Sequence, residues 1–367
     1  MANTPLSDEI LHETIAAVKQ HGTHQRAAAA LKVSIRTIAH RLNIAAKRGF
    51  YTQQPCPPGF AVSRTTTLYK QGEEVMQWVQ AKPDGTDVFI DAIKEVFDEY
   101  KGRATLVLRP KEVSKSLLSV YPIADQHMGL LAWKKETGES YDLEIGAERL
   151  RLCARDLISQ SPPSAQAIIL NLGDYQHNDD GRNATPANGN ALDVDGRYFK
   201  VLTVGIQVMQ DVIELALNKH KQVLVRNLPG NHDPHASIAL TVALAAFYSK
   251  EPRVTISQDP SEFFFHRFGQ TLIGANHGHR IKPADMAMCM AARCKEAWGQ
   301  TKYRYVYTGH IHKQTAFEIG GVVVESFQSL AAQDAWSHSM GFNAGQSLVG
   351  LTLHEERGEI GRHRVNL

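Results

Sequence analysis

The spacing of apolar positions changes character twice along the chain. Over residues 7–48 apolar side chains recur at helical spacing in three short blocks. Ser7 can cap a first helix through about Lys19, ended by His21-Gly22, and Thr23 or His24 opens a second. After Lys32-Val33, Ser34 can cap a third helix, in which Ile35, Ile38, Leu42 and Ala45 share a face. Pro55, Pro57, Pro58 and Gly59 then mark a linker. Residues 65–69 and 75–79 alternate around Lys70-Gln71-Gly72-Glu73 as a β-hairpin, and Asp87 to Tyr100 is amphipathic at helical period.

From Lys115 onward short apolar strands alternate with helices. The strands are expected at 117–123, 167–172, 222–227, 271–275, 303–308 and 321–326, and the helices at 145–159, 198–219, 237–248 and 283–298. That alternation predicts an α/β domain whose sheets are buried on both faces. The expected organisation is a helical domain over 1–50, a connector with hairpin and helix over 51–112, and the α/β domain over 113–367.

Composition adds a little. The 367 residues are 43% hydrophobic with a formal net charge of +2, enough for a sizeable core and too balanced for a polybasic chain. Residues 1–50 nevertheless hold seven Lys and Arg against three acidic residues. A short helix, a tight turn and a capped third helix form a helix-turn-helix pattern, and Arg36, Thr37, His40 and Arg41 lie on its outward face. Those side chains suit base edges and phosphates, so DNA is the expected partner of this segment. The turn position often taken by glycine in this motif is Lys32, which costs left-handed strain. The four cysteines, Cys56, Cys153, Cys289 and Cys294, form no CxxC pair. With no charged and apolar leader and no run of about 18 apolar residues, a cytoplasmic protein with no membrane partner is expected.

The chemistry sits in five short runs, each following one of the first five strands. They are Asp125-Gln126-His127, Gly173-Asp174, Gly230-Asn231-His232-Asp233, Asn276-His277-Gly278-His279 and Gly309-His310-Ile311-His312. Side chains at the carboxyl ends of adjacent strands converge on one cleft. Carboxylate, imidazole and amide oxygen together suit Mn²⁺, Fe or Zn²⁺, whereas Ca²⁺ and Mg²⁺ prefer all-oxygen shells. Two such ions a few ångströms apart acidify a shared water and clamp phosphoryl oxygens.

In this order the motifs resemble those of the calcineurin-like metallophosphoesterases, over roughly residues 115–330. The resemblance implies an αββα sandwich and two divalent ions, Mn²⁺ first, with Fe and Zn²⁺ as alternatives. It implies one ion held by Asp125, His127 and His312, a second by Asn231, His277 and His310, and Asp174 bridging both. His277, directly after its strand, is taken as the ligand in preference to His279, which becomes a neighbouring or substrate-contacting residue. His232 is implied as general acid or transition-state stabiliser, and Asp233 as a support for His232 or a ligand.

Gly173-Asp174-Tyr175-Gln176-His177-Asn178 lacks the arginine of the protein Ser/Thr phosphatases. Asp125-Gln126-His127-Met128-Gly129 and a histidine three after Asp174 are instead similar to the double-strand-break repair nucleases of the superfamily. There the equivalent of His177 helps place the nucleic acid. The whole arrangement resembles proteins of tailed bacteriophages and prophages, and nuclease relatives commonly pair as dimers. The expected activity is DNA phosphodiester hydrolysis. The alternatives are a phosphomonoesterase or small-molecule or cyclic-nucleotide phosphodiesterase, and a DNA-binding regulator that senses a phosphate ligand. Trp336 is expected to pack rather than to stack on bases.

Overall fold

The computed structural model describes residues 7–21, 23–47, 50, 60–70, 73–83 and 101–367. The chain divides into two compact units, residues 1–99 and 100–367.

In the first unit three helices form where capping and period place them: α1 (Asp8–His21), α2 (His24–Ala30) and α3 (Ile35–Lys47). Thr23 Oγ1 accepts from Arg26 N–H at 3.2 Å and Ser34 Oγ from Thr37 N–H at 3.0 Å, each satisfying an orphan donor of a first turn. Between α2 and α3, Lys32 takes φ 51°, the strained turn read from the sequence. Leu11, Ile15 and Val18 of α1 pack on Ala27 and Ala28 of α2 and on Ile38, Leu42 and Ala45 of α3. One expected core position is corrected. Ile35 is 52% exposed, because the first residue of α3 lies beyond the contact of the other two helices. Strands β1 (Phe60–Lys70) and β2 (Glu73–Pro83) pair antiparallel as the expected hairpin, longer than predicted at both ends. The helix expected over 87–100 lies outside the described residues.

The second unit opens with β3 (Ser114–Ile123), the short α4 (Lys134–Thr137), α5 (Leu143–Gln160), β4 (Ser164–Asn171), α6 (Tyr198–Lys219) and β5 (Gln222–Asn227). There follow α7 (Ala236–Phe247), β6 (Val254–Ile256), β7 (Phe264–Phe268), β8 (Thr271–Ala275), α8 (Pro283–Arg293) and α9 (Lys295–Gly299). The unit ends with β9 (Tyr303–Thr308), β10 (Thr315–Ile319), β11 (Val322–Ser326), α10 (Ala335–Ser339), β12 (Ser347–His354) and β13 (Gly358–Asn366). A six-stranded sheet runs β13-β12-β3-β4-β5-β6, parallel from β3 to β6, and a five-stranded sheet runs β10-β11-β9-β8-β7.

Alternation along the strands sets the layers. Leu118 and Val120 of β3 and Ile168 and Leu170 of β4 face Ile273 and Ala275 of β8 and Tyr305 and Tyr307 of β9, forming a core between the sheets. Their neighbours Tyr121, Ile123, Ala167 and Ile169 point the other way, into a core with α5, α6 and α7. Leu272, Val306 and Val324 pack outward against Met286 and Met290 of α8. Helices, sheet, sheet, helices is the αββα sandwich that was expected. Arg362 of β13 clips one sheet to the other through two bonds, 2.6 and 2.9 Å, to Glu325 of β11, a carboxylate 1% exposed.

Three expectations are corrected. Five strands, β6, β7, β10, β12 and β13, were missed, and four of these are the edges of the two sheets. Edge strands are short or carry charge on their open side, so their sequences lack the unbroken apolar runs of the interior. The helix expected over 283–298 breaks at Cys294 into α8 and α9. Helix α6 is long and apolar enough, by length and composition, to cross a membrane, contrary to the expectation of no such run. Its apolar stripe, including Val201, Val208, Val212 and Leu217, instead packs into the core with α5.

Candidate metal centre

The five motifs leave the carboxyl ends of β3, β4 and β5 in one sheet and of β8 and β9 in the other. Each chain turns sharply there. Asp125, His127, Asp174, His310 and His312 all have φ between 47° and 71°, five of the seven non-glycine residues with positive φ among those described. Such backbone costs about 1–2 kcal/mol per residue, so its concentration at one site marks geometry held for function. Three motif glycines are fixed by close approach. A Cβ on Gly230 would lie 1.9 Å from Asp174 Oδ1, one on Gly309 2.7 Å from Asp125 Oδ2, and one on Gly173 2.8 Å from His277 Nδ1.

Two groups of ligating atoms result. Asp125, His127 and His312 form the first, with His312 Nε2 3.1 Å from His127 Nε2 and 3.5 Å from Asp125 Oδ1. Asp174, His277 and His310 form the second, and His277 Nε2 lies 3.1 Å from both Asp174 Oδ2 and Asn231 Oδ1. His277 Nδ1–H donates to Leu172 O at 2.9 Å, which leaves Nε2 as the ring atom that faces the two oxygen acceptors. The Asp125 carboxylate accepts from His310 N–H at 2.8 and 2.9 Å, and Asp174 Oδ1 accepts from His232 N–H at 2.8 Å. Imidazole nitrogens thus face carboxylate and amide oxygens across short gaps, an arrangement that a cation completes.

The electrostatics say the same. Against the penalty of burial, Asp174 raises His277 to about 10, and Asp125 raises His312. Although burial opposes it, His277 holds the Asp174 carboxyl well below the usual range. His310 is lowered, first by burial and then by His277. The field of the cleft favours positive charge between these side chains, and a divalent ion supplies it without a proton.

A third group lies on the His127 side, where ligating atoms of His127, His177 and His232 come together. His177 Nδ1 is 3.1 Å from His127 Nδ1, and its ring stacks on His232 at 5.3 Å between centroids. His232 Nδ1–H donates to His177 O at 2.9 Å. His232 therefore turns Nε2 away from that bond. His177 is buried and its Nε2 has no partner. Burial first, then His232, pushes its pKa down to about 3, so it is a neutral ring.

The remaining expected site residues fall as follows. The Asp233 carboxylate is taken up by backbone donors. Its oxygens accept from Asp174 N–H, Tyr175 N–H, Gln176 N–H and Gly230 N–H, at 2.8 to 3.1 Å. It ties the second motif loop to the third, and burial and the Asp174 carboxylate push it up to about 7 against those donors. His279 sits at the rim, with ring centroids 5.2 Å from His277 and 6.2 Å from His310, and accepts from Arg280 Nε at 3.2 Å. In the first unit Arg36 and His40 are exposed and Thr37 and Arg41 half-buried, with the Thr37 hydroxyl bonded to Ser34 Oγ at 2.7 Å.

Two supporting residues escaped sequence reasoning. Ser329 Oγ donates to Asp125 O, and Asp179 accepts from His235 N–H and Ala236 N–H at the start of α7. Asp179 before a downstream helix gave no signal because its partner is 57 residues away. Beyond it, Asp195 pins the 179–197 loop by accepting from Leu143 N–H at 2.9 Å.

No family model and no curated relative matches this sequence. Among solved structures the chain is similar to Vps29 of Entamoeba histolytica complexed with Zn²⁺, at 14% identity, covering 68% of this chain and 98% of that one, with a TM-score of 0.29. It is similar to a dimetal phosphatase from Danio rerio at 9% identity, covering 68% and 98%, with a TM-score of 0.36. A protein of Streptococcus pneumoniae described as a predicted phosphoesterase is 10% identical over 69% of this chain and all of that one, with a TM-score of 0.27.

Proposed function

We propose that the second unit is a metal-dependent phosphoesterase of the calcineurin-like type, acting on phosphodiesters and most specifically on DNA. The observation that carries this reading is the pair of facing ligand groups, whose acceptor atoms lie 3.1 to 3.5 Å apart at the ends of neighbouring strands. Asp125, His127 and His312 would hold one divalent ion, and Asn231, His277 and His310 the other, with Asp174 between them. Mn²⁺ suits this mixed donor set best, with Fe or Zn²⁺ as alternatives. When bound, the two ions supply an acidified water and positive charge for the phosphoryl oxygens.

The chain's own residues do the rest. His232, oriented through Nδ1–H by the His177 carbonyl, presents Nε2, and as the imidazolium it would give its Nε2 proton to the leaving oxygen or stabilise the charge there. His177 stays neutral in its buried position beside His232 and would help to place the substrate at the cleft. Asp233 keeps two motif loops in register, so the ligands stay placed through each turnover. The first unit delivers DNA through Arg36, Thr37, His40 and Arg41, where basic side chains lie on an exposed helix.

Elemental analysis of the purified protein, with hydrolysis of a bis-aryl phosphodiester in Mn²⁺ and in chelator, tests the reading. Two divalent ions per chain and chelator-sensitive hydrolysis are expected. A chain that retains no metal and cleaves no phosphate ester in any divalent ion contradicts it.

A further inference from the structure

Beside the first ligand group, α4 and α10 lie next to each other on chain segments that leave the cleft directly. Residues 130–137 follow Asp125 and His127, and residues 330–342 follow Ser329, whose hydroxyl holds the Asp125 carbonyl. Beneath them Leu130, Ala132 and Tyr141 pack on Ala331 and Ala332 in a small core of their own. That core leaves the outer surface unused. There Trp133 is 60% exposed, Trp336 63%, Met340 56% and Phe342 50%. Trp336 and Phe342 meet edge to face at 5.8 Å. Lys134 and Lys135 are exposed on the same turn as Trp133, and Lys135 Nζ sits 5.5 Å from the Trp133 ring centre. Asp334 caps the first turn of α10, its carboxylate accepting from Ser337 N–H at 2.7 Å.

Large apolar side chains grouped in water beside a polar cleft mark a binding surface. The composition selects the ligand. Three of the four are aromatic and at least half exposed, which fits flat π-systems better than aliphatic peptide, and ammonium groups alongside fit phosphates. A paired duplex hides its base faces within the stack, so the match is to unpaired bases. We propose that this ledge stacks the nucleobases of a single-stranded nucleic acid whose phosphodiester lies in the metal cleft. The inference rests on the phosphodiesterase reading and narrows its substrate.

The test uses the full chain carrying Trp133→Ala, Trp336→Ala, both together, or Trp336→Phe. Affinity for a labelled single-stranded oligonucleotide is read by anisotropy in chelator, and kcat/KM is read for that strand and for a bis-aryl phosphodiester in Mn²⁺. Each alanine is expected to weaken strand binding and kcat/KM about tenfold, in line with one lost base–aromatic stack, while Trp336→Phe keeps most of both. Hydrolysis of the aryl diester is expected to stay at the wild-type level. An abasic stretch in the strand should weaken the wild type and add little to the double variant. Unchanged strand affinity in the double variant overturns the proposal, as does an equal loss on the aryl diester. So does a shift in sedimentation with strand affinity intact, which would assign the ledge to a second copy of the chain. If the wild type hydrolyses nothing but the alanines still weaken strand binding, the phosphodiesterase reading fails and the ledge stands.

Discussion

The metal cleft and the three-helix unit hold their polar groups in opposite ways. In the cleft Asp125, Asp174, His177 and His277 are buried, and five non-glycine residues sit in left-handed backbone. In the helical unit Arg36 and His40 stand in water, and among its described residues Lys32 alone has positive φ. Chemistry on a phosphate needs donors fixed to within a fraction of an ångström, and that precision is obtained by burial and strain. Recognition of a phosphate backbone needs charge on a firm helix and little more. The difference teaches where substitution should be catastrophic and where it should be graded.

The largest effect is expected from Asp174→Asn. It removes the carboxylate beside His277 and between the two ligand groups, so metal affinity should fall more than about 100-fold and hydrolysis with it. Two tightly held ions by elemental analysis in that variant would remove Asp174 from its bridging role. Next comes His232→Ala, which takes away a ring that accepts no placement duty for the metals. Turnover should fall about 10²- to 10⁴-fold with metal content unchanged. Lost metal together with lost turnover would recast His232 as a ligand.

A buried histidine far from the cleft separates burial from function. His220 accepts from Ser164 N–H at 3.3 Å through Nδ1 and donates through Nε2 to Tyr121 Oη at 2.8 Å. Burial pushes its pKa down to about 4 from the ordinary 6.5. The folded state therefore refuses a proton that the unfolded chain takes up. Its contribution is fully present above pH 6.5 and fades as pH falls toward 4, by about 3 kcal/mol at most. Urea unfolding at stepped pH should show a shallower acid slope for His220→Asn than for wild type, and equal slopes would contradict the assignment. The smallest effect belongs to the helical unit. Lys32→Gly relieves one left-handed residue at the cost of unfolded-chain entropy, for a net gain of about 0.5 kcal/mol in that unit. A loss of stability would mean that the Lys32 side chain makes contacts of its own.

The sequence revealed these two regions unequally. The candidate ligands could be read because each motif follows an interior strand, where an unbroken run such as residues 167–172 announces itself. The edge strands could not, since β13 alternates Glu, Arg and Arg with its apolar residues and reads as a charged loop. Asp233 was legible as a site residue but its task was not. Four backbone donors from two loops cannot be foreseen from a side chain's neighbours in sequence. The same holds for Ser329, 204 residues from the carbonyl that it holds. In the helical unit the caps Thr23 and Ser34 and the strained Lys32 were all readable, because capping and turn strain are local. Long-range polar support is the part of a site that one sequence hides.

The most direct test compares hydrolysis of single- and double-stranded DNA with that of bis- and mono-aryl phosphates, in Mn²⁺ and in chelator, for the wild type and His232→Ala. The account predicts Mn²⁺-dependent cleavage of DNA and of the bis-aryl ester, abolished by chelator and lost in the variant. Cleavage of mono-aryl phosphate alone, or activity that survives in His232→Ala, would contradict it.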